Sequence, residues 1–422
     1  MLKQSDIQNL KTNQKFADAV KNLYGNSKID YELERYTNLY SMHKAKYGEN
    51  AMFFSSPGRI EVCGNHTDHN NGKVLCASIT VDTVACVTPT TENKIIVASY
   101  GFPVVEVILD DFSPKKSEYG TSEALVRGVC AYFKKNGMQI GGFFATTTSD
   151  VFKGAGVSSS ASFEVLICEI LNQVYNNGVI DKVTKAKASH HAESVFFGKP
   201  CGLMDQSAIA LGGVSYIDFK STTNPKIQTI DWKFDDMTIV LTNTGGDHCD
   251  LTNQYADIRL EMEEVAKNLG GKKLRNIKEQ DFYAQLPNLQ NKVSGRAILR
   301  AMHYFDENKR VDSGAKAVKN VNEKKFCEAI NKSGESSYML LQNCMPIGDT
   351  VQRIPFAINF SKKQDGVKAV RVHGGGFAGT IIAYVDNAKV DGYVANMKQI
   401  FGANNVFCIG VRNLGACKVD VE

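Results

Sequence analysis

Lys153-Gly154-Ala155-Gly156-Val157-Ser158-Ser159-Ser160-Ala161 is a run of small residues that passes straight into a helical repeat. Phe163, Leu166, Ile167, Ile170, Leu171 and Val174 recur at the spacing of one helix face, so the serines stand at that helix's start. A helix N-terminus presents unpaired N–H groups and a partial positive charge, and glycines just before it let an anion approach the backbone. Gly154, Ala155, Gly156, Val157, Ser158, Ser159, Ser160 and Ala161 therefore read as a phosphate cradle. The run is not the common P-loop, because the terminal Gly-Lys-Ser/Thr is missing. A tight turn followed by a serine-capped helix is the other reading of the same residues.

Outward from the cradle, strands and helices alternate. A strand over 142–147 leads into it, and a helix from about Lys182 to Phe197 follows, closed by Gly198 and Pro200 and carrying His190, His191 and Glu193. Cys201-Gly202-Leu203-Met204-Asp205-Gln206 then opens a short helix in which Asp205 is locally an N-cap. Upstream, Gly58-Arg59-Ile60-Glu61-Val62-Cys63-Gly64-Asn65-His66-Thr67-Asp68-His69-Asn70-Asn71-Gly72 is a polar, turn-forming run between apolar strands, those after it spanning Lys73–Ile79 and Val84–Val87. A hairpin turn accounts for Asn71-Gly72 but not for Arg59, Asn65, His66, Asp68 and His69 together. His66, Asp68 and His69 have metal-ligand chemistry, yet no further His or Cys stands at matching spacing. Residues 1–47 read as helical. The pattern restarts near Thr238, runs through a long helix from Cys249 to Leu269, and reaches a glycine-rich turn, Gly374-Gly375-Gly376-Phe377-Ala378-Gly379, between two strands.

The 422 residues exceed what one core usually organises, which predicts two domains, with a boundary near residues 225–236. Composition is that of an ordinary globular protein, and a net charge of +4 without a dense basic block argues against nucleic acid. The polar start and the lack of any long apolar run predict a cytoplasmic protein without membrane contact. Eleven cysteines, scattered singly, read as small core residues in a reducing compartment.

Taken together, the Gly58–Gly72 run, the Gly154–Ala161 loop, the 374–379 turn and Pro200-Cys201-Gly202-Leu203-Met204-Asp205-Gln206 resemble, in order and spacing, the GHMP small-molecule kinases and among them the galactokinases. Tyr255 with Arg259, and Arg300-Ala301-Met302-His303 followed by Glu307 and Arg310, extend the resemblance into the second half. It implies an α+β, two-lobed GHMP kinase fold. An N-terminal mixed-sheet and helix lobe would cover 1–230, a C-terminal ferredoxin-like lobe 231–422, with the active site in the cleft between them. It implies a sugar 1-kinase that uses ATP and Mg2+, makes galactose 1-phosphate, and acts as a monomer, with an oligomer left open. Carried over residue by residue, Asp205 accepts the anomeric proton and Arg59 keeps Asp205 ionised and stabilises the transferring phosphoryl group. Asn65, His66, Asp68, Gly202 and Tyr255 bind the sugar, the 154–161 loop binds nucleotide, and Ser158 with Glu193 contact Mg2+.

The departures bear on substrate. Asn65 stands where galactokinases carry Glu, which in the family accepts from the sugar 6-hydroxyl; an uncharged amide tolerates a carboxylate at C6, keeping galacturonate and other sugar acceptors open. The family Asn two positions after Arg59 is Glu61 here, the family Tyr is His69, and Phe152 replaces a common Pro. A regulator that senses sugar and ATP on the same fold is the non-enzyme alternative, although it has no need of Arg59, Ser158, Glu193 and Asp205 together.

Overall fold

The structure, a computed structural model, describes residues 10–151, 156–199, 201–245, 251–377 and 379–421. Its strands are β1 (Met52–Cys63), β2 (Lys73–Thr90), β3 (Lys94–Ser99), β4 (Val105–Ile108), β5 (Gly142–Ser149), β6 (Val214–Asp218) and β7 (Lys226–Ile230). There follow β8 (Met237–Asn243), β9 (Val367–Val372), β10 (Thr380–Asp386), β11 (Val406–Ile409) and β12 (Cys417–Val419). Among the described residues these form two sheets. The first runs β12-β1-β2-β5-β3-β4, with β6 and β7 branching from the far half of β2; the second runs β11-β8-β10-β9.

Strands β1 and β2 are buried on both faces, and the alternation of their side chains separates two apolar layers. Phe54, Ala85 and Val87 face the helices Ser122–Lys135, Ser159–Tyr175 and Lys182–His191. Phe53, Val84 and Cys86 face Phe16, Val20, Leu33, Tyr36 and Leu39 of the helices Gln14–Tyr24 and Ile29–Tyr47. The two expected strands over 73–87 are one, β2, because the polar residues between them are bonded inside the protein. Asp82 accepts from Tyr24, Arg35, Ser55 and Arg412.

In the second sheet all pairings are antiparallel, and helices separate β8 from β9 and β10 from β11. Its spatial order, fourth strand, first, third, second, is that of a ferredoxin-like unit. The chain then returns to the first sheet: β12 pairs with β1 through Phe53↔Val419, Phe54↔Lys418 and Ser55↔Cys417. Between the sheets lies a shared core in which Ile60, Val62, Leu75 and Ile79 meet Ile239, Leu241, Phe326, Ile382 and Tyr384. No helix among the described residues is long and apolar enough to cross a membrane.

Candidate active site

Three distant segments converge where the sheets meet. Arg59 stands on β1 just after a register shift at Pro57, and its backbone N–H donates to Val157 O at 3.1 Å, stitching the strand to the glycine loop. Its guanidinium grips Asp205 from two sides, Nε to Oδ1 at 2.7 Å and Nη2 to Oδ2 at 2.8 Å, while Nη1 donates to Gly156 O. The Ser158 hydroxyl donates to Asp205 Oδ2. Asp205 lies in the first turn of the helix Met204–Leu211, two residues past the N-cap position Leu203, so it does not cap that helix; its side chain is drawn sideways to Arg59 and keeps 27% of its surface exposed. Burial raises the Asp205 carboxyl pKa, but the charge and hydrogen bonds of Arg59, with Ser158, outweigh it and leave the group below the usual carboxylate value.

Ser158 has φ +62°, ψ 62°, a left-handed conformation unusual for serine, at the N-cap of the helix Ser159–Tyr175. With its hydroxyl on Asp205 it makes no side-chain cap, so the helix's leading N–H groups are left for another acceptor. Gly156 and Val157 stand beside it, Val157 buried and Gly156 exposed, while Ser159, Ser160 and Ala161 form the first turn. Gly154 and Ala155 lie outside the described residues, as do Phe152, Pro200 and Cys249.

Glu193 reaches the start of the same helix at Ser160. The helix Lys182–His191 widens at Ala192–Phe196 into a π turn, and Glu193 Oε1 there accepts from Ser160 Oγ at 2.9 Å and from Lys199 Nζ at 2.9 Å. Its Oε2 accepts from Gln206 Nε2 at 2.6 Å. Ser158, whose hydroxyl is given to Asp205, and Ser160, which bonds Glu193, thus both stand at the start of the helix Ser159–Tyr175. A carboxylate and a hydroxyl at a helix start are hard oxygen donors of the kind Mg2+ takes beside phosphate and water. Among the described residues no group of three or more His, Cys, Asp or Glu side chains forms a metal cage, so His66, Asp68 and His69 make none.

The residues that the resemblance assigns to the sugar form a second cluster. Asp68 opens a 3-10 turn, Asp68–Asn70, and presses on Gly202, where any Cβ would stand 2.3 Å from Asp68 Oδ2. His66, at φ +56°, has Nε2 2.9 Å from Gly375 O and stacks on Tyr255, whose hydroxyl donates to Gly376 O at 2.8 Å. The glycine turn is tight for internal reasons: a Cβ at Gly375 would strike Tyr255 and one at Gly376 would strike Asn343 O.

Asn65 is placed differently from the expectation. It is 0% exposed, its Nδ2 donates to Glu61 Oε1 at 3.0 Å and Gly374 O at 2.7 Å, and its Oδ1 accepts from Asn343 Nδ2 at 2.7 Å. The amide is filled by internal partners and turns no face to the cleft. The cause is Glu61, a carboxylate buried on β1 that Arg371 Nη2, at 2.7 Å, and the Asn65 amide satisfy together. Sequence reading noted Glu61 as a departure without giving it a partner, and missed Arg371, His373, Asn343 and Lys199.

The lobes, the helix-end cradle and the Arg59–Asp205 pair define a small-molecule kinase of the GHMP type, and the comparisons agree. Residues 124–213 match the family model "GHMP kinases N terminal domain" and residues 41–89 match "Galactokinase galactose-binding signature". The galactokinase of Clostridium tetani is 32% identical over 352 residues, spanning 82% of this chain and 87% of that protein. That of Lactococcus lactis subsp. cremoris is 28% identical, spanning 88% and 93%. The crystal structure of Lactococcus lactis galactokinase complexed with galactose superposes with a TM-score of 0.78 at 25% identity, covering 91% of this chain and all of that one. Methanococcus jannaschii mevalonate kinase, at 14% identity and a TM-score of 0.62 over 86% of this chain and 98% of that one, shares the fold. The chain belongs to the galactokinase family and is a phosphotransferase of the sugar-kinase kind.

Proposed function

We propose that the protein transfers the terminal phosphoryl group of MgATP to the anomeric hydroxyl of galactose, giving galactose 1-phosphate and ADP. The observation that carries this reading is the two-point Arg59–Asp205 pair, with Ser158 on the same carboxylate at the start of the helix Ser159–Tyr175. The phosphates would lie over Gly156 and the helix end, where the leading N–H groups point. The anomeric hydroxyl would sit on the open side of Asp205, between it and Asp68. As the sugar oxygen bonds to phosphorus and the bond to the ADP oxygen breaks, the hydroxyl proton passes to Asp205. A carboxylate held below its usual pKa is a weak base, so it orients the hydroxyl first and takes the proton late, when the forming bond has made that hydroxyl acidic. Arg59 stabilises charge on the phosphoryl oxygens without losing Asp205, because its Nη1 edge faces the loop carbonyl of Gly156. Glu193 and Ser158, with Ser160 bonded to Glu193, are the residues that would hold Mg2+, which when bound would offset phosphate charge.

Galacturonate as acceptor depended on the Asn65 amide meeting C6. With that amide enclosed, galactose is the acceptor proposed. A coupled ADP-release assay over galactose, galacturonate, glucose, N-acetylgalactosamine and arabinose tests it, and no turnover of galactose at millimolar levels would retire it. Asp205→Ala is expected to abolish turnover while calorimetry still detects sugar; a near-normal rate in that variant would remove the assigned role.

A further inference from the structure

His373 follows β9 and reaches the point where β1, the glycine loop and the 374–376 turn meet. It is 3% exposed. The Glu61 backbone N–H donates to its Nε2 at 3.2 Å, so Nε2 is the acceptor nitrogen. Burial first, and then the charges of Arg59 and Arg371, keep the ring neutral. A neutral ring that accepts at Nε2 carries its proton on Nδ1, and this Nδ1–H is buried with no hydrogen-bond partner among the described residues. A buried donor without a partner is costly, and native structures rarely keep one without a use. Nδ1 faces the glycine loop: it stands 3.4 Å from where a Cβ on Gly156 would be. Gly156 is also the residue whose carbonyl takes Arg59 Nη1, two positions before Ser158, the N-cap position of the helix Ser159–Tyr175 that makes no side-chain cap.

We propose that His373 is a nucleotide-positioning residue whose Nδ1–H donates to an oxygen of the polyphosphate when it settles over Gly156. The inference rests on the kinase reading above and deepens it by adding a contact from the second lobe. The ligand is the phosphate chain rather than the sugar because Nδ1 faces Gly156, whereas the cluster assigned to the sugar, Asp68 against Gly202 and His66 against Tyr255, is built from other segments. The site is supplied from both lobes, the helix end by the first and the imidazole by the second, so bound nucleotide ties them together.

Two substitutions in the full-length chain separate the ring's two nitrogens. His373→Gln places an amide near Nε2, keeping an acceptor for the Glu61 N–H but removing the Nδ1 donor. His373→Asn places its amide N–H near Nδ1 and gives up the Glu61 contact. Calorimetric titration with a non-hydrolysable ATP analogue and, separately, with galactose is the readout. The expected result is about tenfold or greater loss of analogue affinity in His373→Gln, as for a lost hydrogen bond to a charged group, with galactose affinity within about threefold of wild type. His373→Asn should keep analogue affinity within about threefold. Equal loss for analogue and galactose in His373→Gln, or no loss of analogue, would overturn the proposal. Should either variant fail to fold, long-range proton–nitrogen spectra of the wild-type histidines decide: the His373 Nδ1–H resonance should move downfield when the analogue binds, and an unmoved resonance overturns the proposal. The kinase reading fails separately, if the wild-type chain turns over none of the sugars; a wild type that turns over galactose while His373 ignores the nucleotide removes only this inference.

Discussion

At Gly156 the backbone has φ +69°, a conformation that costs a residue with a Cβ about 1–2 kcal/mol and a β-branched one more. Its exposed face is also the one over which the proposed function places the phosphates. Gly156→Val should therefore weaken the ATP analogue by about tenfold or more while galactose affinity stays within about threefold, read by calorimetry with each ligand. Equal losses for both would mean that the loop supports the whole cleft rather than the nucleotide. Much of this site was legible in the sequence. Ser158 stands out in a small-residue run, Arg59 and Asp205 stand out only through the family resemblance, and the structure brings all three together. What was not legible depends on partners far along the chain. Glu61 and Asn65 looked like two unrelated departures from the family pattern; in space they are one carboxylate and one amide in contact, with the two types exchanged between the positions. The carboxylate's cation, Arg371, lies 310 residues away on the other sheet, and no local spacing announces it.

The helix Ile29–Tyr47 lies against β2 through a charge cluster whose members titrate in opposite directions. Asp82 is held below its usual pKa, because the positive charges of Arg35 and Arg412 and its hydrogen bonds overcome burial. Glu32, which accepts from Arg35 Nη1 at 3.1 Å, is pushed up to about 7: burial raises it, Arg35 lowers it, and the nearby charge of Asp82 raises it again. Folding thus favours protonated Glu32. Its contribution to stability is complete below about pH 4.5, where the unfolded chain also holds the proton, and is lost as pH rises through about 7. Glu32→Gln, uncharged at every pH, should melt roughly 2–4 °C above wild type at pH 8 and level with it at pH 4.5, measured by thermal circular dichroism. No gain at pH 8 would mean that the Arg35 pair keeps Glu32 ionised in the folded protein. The same cluster explains a misreading of the elements. Thr80, Asp82 and Thr83 interrupt the apolar runs and suggest a break between two strands, but their polar groups are bonded inside the fold and β2 continues through them. The π turn at Glu193 was likewise illegible, since its residues fit a regular helix equally well. The strand over 142–147 and the helices after the glycine loop, by contrast, followed from periodicity, whereas the helices Gly295–Lys319 and Glu323–Ser336 were not resolved from one another.

At the scale of the whole molecule, sequence length suggested two domains divided near residue 230, and the two sheets do fall on either side of that point until β12 returns to the first. Their interface, however, has the character of a core. Ile60, Val62, Leu75 and Ile79 of the first sheet pack with Ile239, Leu241, Phe326 and Tyr384 of the second half. Buried polar groups cross in the same direction: Arg371 bonds Glu61 and Val62 O, Glu307 accepts from the Gly64 N–H, and His303 Nε2 meets Asn65 O. Arg412 reaches back to Asp82. A fragment of residues 1–230 would lose all of these at once, leave Glu61 without its cation Arg371 and Asp82 with Arg35 but not Arg412, and expose the β1 edge that β12 covers. Such a fragment should bind a hydrophobic dye and melt without a cooperative transition. The intact chain should unfold in one calorimetric step whose measured and van 't Hoff enthalpies agree. Two resolved steps, or a 1–230 fragment that melts cooperatively on its own, would instead make the lobes independent units, and contacts such as Arg371 with Glu61 would then be a docking surface rather than part of the fold.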